Sequence, residues 1–144
     1  MSVRHTLWIA LIALTPGLSA AQDVVTYDYG GSFDDATFGV ENAIVNRGLV
    51  VDYVSHVGDM LNRTREDVGG DQIFSAADIY IFCSAVISRE VMEADPMNIA
   101  FCPYGVFAAE RDGQVMIGYR TYPDGPMDQV ETLLDDIARE AAGQ

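Results

Sequence analysis

Two cysteines, Cys83 and Cys102, are the chain's only thiols, and each follows a phenylalanine. Paired thiols close a disulfide, cycle between redox states, or hold a soft cation such as Cu(I) or zinc; buried singly, they act as small apolar fillers. The spacing is not CxxC, so no thioredoxin-type motif or zinc knuckle is indicated, and without CxxCH the usual covalent haem attachment is excluded. An even cysteine count in an exported chain favours a disulfide. That bond would close a loop of about 20 residues, worth roughly 3 kcal/mol on the loop-entropy account. Buried free thiols and a redox or metal-holding pair stay open beside it.

The other chemistry-bearing residues are few. His56 is the only histidine beyond residue 21. A ligand or catalytic role for it competes with that of a partly exposed strand-end residue, and one histidine cannot build the common catalytic zinc sets. Tyr104 and Arg120 bracket the segment at Cys102. An aromatic ring, a cation and a sulfur there would line a small anion-binding pocket; the plain alternative is a solvent-facing strand end. The candidates are therefore the thiol pair Cys83 and Cys102, and a ligand pocket of Tyr104, Arg120 and His56. No cofactor, metal set or catalytic set is indicated: a Gly-rich phosphate loop, a Gly-x-Ser-x-Gly elbow and HExxH are all missing. The methionines Met60, Met92, Met97, Met116 and Met127 are scattered singly and read as core filling.

The start of the chain bears on the compartment. Arg4 and His5 precede an apolar run from Thr6 to Leu14, broken by Pro16-Gly17 and followed by Ser19-Ala20-Ala21. This is the pattern of a secretory signal peptide over 1–21, cut before Gln22, leaving one domain over 22–144 in the periplasm or outside the cell. With 22 acids, 8 bases and no lysine, the net charge is −14. Such a surface repels phosphate backbones and anionic lipid, so neither nucleic acid nor, after cleavage, membrane is an expected partner.

The elements that must position these residues follow from periodicity. Val25, Tyr27 and Tyr29 alternate against Val24, Thr26 and Asp28, which predicts a half-buried strand over 23–31. Ser32 with Asp35 opens a helix over 32–48, with Phe33, Thr37, Val40 and Ile44 on one face and Gly48 as its stop. Gly39 inside that helix costs about 1 kcal/mol against alanine and points to close packing. A second strand spans 49–57, and Asp59 caps a short helix closed by Gly69-Gly70. A third strand, 77–85, is apolar on both faces and so interior to the sheet. A helix over 84–96 stops at Pro96. Strands over 98–110 and 114–122 join at Asp112-Gly113, a hairpin signal that sets Phe107 opposite Gly118, Ala109 opposite Met116, Val106 opposite Tyr119 and Ala108 opposite Ile117. A last helix, 125–141, begins at Pro126 and buries Val130, Leu133, Leu134, Ile137 and Ala141. The order is β-α-β-α-β-α-β-β-α, an α+β layer fold with helices on one face. Both hairpin faces are apolar. The second therefore needs cover from further helix, a subunit or a ligand.

Phe82-Cys83, Asp95-Pro96, the strand at Cys102-Pro103 and the hairpin after it succeed one another as in the domain of unknown function 302 family, which the chain resembles from the first helix to the last. Ser84 stands where the family has asparagine, and Cys102-Pro103 inverts its Pro-Cys order. The resemblance implies a curved, mainly antiparallel five-stranded sheet with helices on one side, similar to TATA-binding-protein-like domains and often dimeric. The expectation is an exported, non-enzymatic module that binds a small ligand or partner as a homodimer. The alternative is a redox or copper-linked accessory using Cys83 and Cys102.

Overall fold

The computed structural model describes residues 24–144; the expected export signal lies outside them. Five strands form one sheet in the order β1-β5-β4-β3-β2, every neighbouring pair antiparallel. In chain order the elements are β1 (Val24–Tyr29), α1 (Phe33–Val45), β2 (Val51–Ser55), α2 (Val57–Val68), β3 (Ala76–Phe82), α3 (Ala85–Ala94), a 3-10 turn (Pro96–Phe101), β4 (Tyr104–Arg111), β5 (Gln114–Arg120) and α4 (Asp128–Ala142). The α+β class and the element order are those the periodicity predicts.

The hairpin register is also as expected. Phe107 faces Gly118, Ala109 faces Met116, Val106 faces Tyr119 and Ala108 faces Ile117. Asp112 and Gly113 both take positive φ, 53° and 75°, the backbone that a two-residue turn between twisted strands requires. β3 is interior, between β4 and β2. Four of the strands turn alternate residues to one core, and β2, interrupted by a bulge, adds Val51 and Val54. Val25 and Tyr27 of β1, Val115, Ile117 and Tyr119 of β5, Val106 and Ala108 of β4, and Tyr80 and Phe82 of β3 meet Val40 and Ile44 of α1 and Val130, Leu134 and Ile137 of α4. Where α1 crosses α4, a Cβ on Gly39 would lie 3.2 Å from the Ala141 carbonyl oxygen. The glycine marks that close approach.

The second and third strands are shorter than expected, and local structure departs further from the expectation in four places. Helix α1 opens as predicted, with the Asp35 N–H donating to Ser32 Oγ at 3.1 Å, but its buried face is Ala36, Val40, Ala43 and Ile44. Helix α2 starts at Val57, so Asp59 lies in its first turn and is not its cap. No strand covers 98–103. Asp95 Oδ1 accepts from the Met97 N–H at 2.9 Å and starts a 3-10 turn with Pro96 at its head; Cys102 ends that turn, the Cys102–Pro103 bond is cis, and pairing begins at Tyr104. Helix α4 begins two residues beyond Pro126, with Asp128 Oδ1 accepting from the Gly125 N–H at 2.9 Å.

Candidate functional site

The β3–β4 ladder ends at Phe82 opposite Tyr104. Cys83 continues β3 by one residue, and Cys102 lies two residues before the first residue of β4. That topology brings the two sulfurs 2.8 Å apart. A disulfide bond is about 2.05 Å long, so this structure holds two free thiols in contact and not the expected disulfide. Both side chains are half-buried. Burial pushes the Cys83 thiol up to about 11, and the hydrogen bond and charge of Cys102 add to the rise; the Tyr104 N–H opposes it more weakly. A thiol so placed is protonated at neutral pH and is not an activated nucleophile.

The three residues expected to line a ligand pocket do not converge. Tyr104 is fully buried, and its hydroxyl lies 3.1 Å from Ser88 Oγ of α3. Arg120 is exposed at the end of β5, with its guanidinium carbon 5.0 Å from the Tyr122 ring centroid and 5.7 Å from that of Phe101. These two rings meet edge to face at 5.7 Å, and Tyr122 makes the same contact with Tyr104 at 6.2 Å. Desolvation drives the Tyr122 hydroxyl to about 12 despite the nearby arginine. The result is a packed aromatic corner beside the sulfurs. His56 lies at the far end of β3, roughly 17 Å of strand away from Cys83. Its Nδ1 is 2.7 Å from Asp78 Oδ1, with the histidine side chain 61% exposed and the aspartate 15%. Among the described residues, no three His, Cys, Asp or Glu side chains gather as a metal site would need.

The outer face of the sheet, opposite α1 and α4, is the second apolar face that the hairpin register predicts. A cleft of about 320 Å³ crosses four strands, and its lining is apolar apart from Thr26 and Asp78. Val24, Met116, Phe107, Ala109, Ala77 and Ile79 form its floor, with Val57 and Phe74 beside them. Two glycines build it. A Cβ on Gly58 would lie 2.4 Å from the Ala77 nitrogen, so only glycine lets the start of α2 sit on the β3 backbone and bring Val57 to the cleft. A Cβ on Gly118 would lie 2.6 Å from the Phe107 ring, which occupies that space on the neighbouring strand. The signal in the sequence was the apolar second face of the hairpin. The contributions of Phe74 and Val57 carried none.

An unforeseen cluster fastens α4 to the sheet. Asp135 accepts from the hydroxyls of Tyr27 and Tyr119, the latter at 2.9 Å, and from Arg139 Nε at 2.7 Å. Burial alone would raise the Asp135 carboxyl, but the bonds from Tyr27, Arg139 and Tyr119 outweigh it and hold the group below its ordinary value. Arg139 also stacks on Tyr27, 4.8 Å from the ring centroid.

A family model described as "Domain of unknown function DUF302" matches residues 24–142. Among solved structures, the chain is similar to an uncharacterized conserved DUF302 protein from Bacillus stearothermophilus. The two share 19% identity with a TM-score of 0.63, over 85% of this chain and 95% of the other. No curated protein matches. The structural likeness carries the fold and nothing further.

Proposed function

The chain belongs to the DUF302 family, and from that premise we propose that it is an exported, non-catalytic module that holds a small apolar ligand in the cleft on the outer sheet face. The observation that carries this reading is the cleft itself. Its 320 Å³ falls within the range of small-molecule sites, and its wall is predominantly apolar, with Thr26 and Asp78 the only polar residues in it. A wall so largely apolar selects by shape and desolvation, so the ligand class is hydrocarbon-rich and uncharged. Of the lining residues, only Asp78 is titratable; its carboxylate is engaged by His56. A second copy seated on the same face, giving the homodimer, is the competing occupant. Export rests on the reading of residues 1–21.

Titration with an uncharged, environment-sensitive fluorophore such as N-phenylnaphthylamine tests the cleft. Saturable one-to-one binding is expected, and Met116→Glu, which places a charge on the cleft floor, should weaken it by about tenfold or more. Binding that is absent in the wild type, or equal in Met116→Glu, would defeat the reading. Light scattering on the eluting protein separates the competitor: a dimer that excludes the fluorophore assigns the face to a second copy. For export, the chain expressed with its leader should be recovered outside the cytoplasm beginning at Gln22; an intact start would refute cleavage.

A further inference from the structure

We infer that Cys83 and Cys102 are an oxidisable dithiol, a modification site for disulfide-class oxidants, whose bond fastens the excursion 84–101 to the sheet. The inference is independent of the cleft and stands on geometry. The sulfurs are 2.8 Å apart, and both side chains are half-buried, open to a small oxidant. Their approach is set by the backbone: β3 and β4 are paired up to Phe82 and Tyr104, one residue from Cys83 and two from Cys102. The residues between them form one closed excursion, α3 followed by the 3-10 turn, which leaves the sheet at Ser84 and returns at Cys102.

Apart from the partly buried Ile87 and Met92, which pack against the core, a handful of contacts hold that excursion. Val91 is buried, the Ser88 and Tyr104 hydroxyls meet at 3.1 Å, and Phe101 leans on Tyr122. Val86, Met97 and Ile99 are exposed on it. A covalent link across its base removes the open conformations in which it swings away from the sheet.

The reaction is a thiol–disulfide exchange with an external disulfide, RSSR. One protein thiolate attacks a sulfur of RSSR; the external S–S bond breaks, RS⁻ leaves, and a mixed disulfide forms. The second protein thiol gives up its proton and attacks the protein-side sulfur. The mixed bond breaks and a second RS⁻ departs. The protein loses two electrons and two protons, and the oxidant becomes two RSH. Both sulfurs are half-buried and 2.8 Å apart, so whichever thiol enters the mixed disulfide has the other in place to resolve it. With no CxxC spacing and no cation activating Cys83, the pair works as a latch and not as an exchange catalyst.

The test uses the purified wild-type chain, reduced or treated with oxidised glutathione. Mass spectrometry after alkylation should show both thiols protected in the oxidised monomer, with two hydrogens lost. Amide exchange across 84–101 should slow by about tenfold or more while β4 and β5 stay unchanged. Cys83→Ser and Cys102→Ser should each stop at a glutathione adduct on the cysteine that remains, because neither variant has a second thiol to resolve it. Thiols that remain alkylatable, or a bond formed only between chains, would overturn the pairing. A bond that leaves exchange in 84–101 unaltered would overturn the latch. Loading with Cu(I) alone is the last arm: copper retained at one per chain against a thiol competitor would reassign the pair to metal binding.

Discussion

Asp135 shows what one carboxylate does when three donors converge on it. Tyr27 comes from β1, Tyr119 from β5 and Arg139 from the next turn of its own helix, so this side chain joins both strands of one sheet edge to α4. Hydrogen bonds to a charged group contribute about 1.5–3 kcal/mol each when dry. Here the aspartate side chain is 30% exposed and the arginine 50%, so solvent screens part of that. Asp135→Asn is expected to cost about 2 kcal/mol in urea unfolding, at the low end of those sums. The sign with pH follows from the lowered carboxyl. Its contribution is fully present above the ordinary value of 3.8 and is lost as pH falls through the depressed folded value. The gap between wild type and Asp135→Asn should therefore be constant near neutrality and close below pH 3.8. A gap that persists in acid would contradict the assignment. The sequence showed only a surface pair, Asp135-Asp136. Adjacent positions on a helix point apart, and the structure exposes Asp136 while turning Asp135 to the sheet. Tyr27 lies 108 residues away in the chain, a separation that no local spacing reveals.

Two glycines in helices separate positions that look alike at the level of elements. Both should gain about 1 kcal/mol of helix propensity on becoming alanine. At Gly39 the new Cβ lies 3.2 Å from the Ala141 carbonyl, a contact that a shift of a few tenths of an ångström relieves. At Gly58 it lies 2.4 Å from the Ala77 nitrogen and 3.1 Å from the Ala76 carbonyl carbon, backbone against backbone. Gly39→Ala should stay within about 1 kcal/mol of wild type, whereas Gly58→Ala should lose about 2 kcal/mol and, by lifting Val57, weaken fluorophore binding in the cleft. Unfolding and binding titrations on both variants check this; equal behaviour would remove Gly58 from the site. Gly39 was legible because a mid-helix glycine is conspicuous. Gly58 was not, because the expected helix began at Asp59, beyond it. The apolar run 98–101 was likewise read as strand, since a short run of that kind fits strand and turn alike. Asp95, which caps the 3-10 turn, had been absorbed into the end of the preceding helix. The hairpin was read correctly because Asp112-Gly113 fixes register, and register fixes every facing pair that follows.

For the molecule as a whole, the composition carried the charge and the two-sided apolar hairpin, but not which sheet face the helices would leave open. That choice depends on how α1 and α4 pack against each other. The cleft is apolar, and most of the acids lie on helices and loops, with Asp28, Asp52, Asp78 and Glu110 on strands. A net charge of −14 is only partly offset by ion pairs such as Arg47–Glu140, Arg89–Glu93 and Arg139–Asp135. Like charges spread over a small domain repel, and the unfolded chain holds them farther apart, so the repulsion opposes folding. Raising sodium chloride from about 10 mM to about 150 mM shortens the screening length from about 30 Å to about 8 Å. Long-range repulsion then fades more than the close pairs do, because contacts within a few ångströms lie inside either length. The midpoint of thermal unfolding should rise by a few degrees, the response to about 1 kcal/mol in a domain of this size. Sodium chloride is the right salt, because sulfate would also strengthen apolar burial and confuse the two effects. The test is a thermal melt at each ionic strength, with Asp135→Asn run in parallel. If the midpoint is unchanged or falls with salt, the local pairs dominate the field and the acid excess is not a destabilising load on this fold.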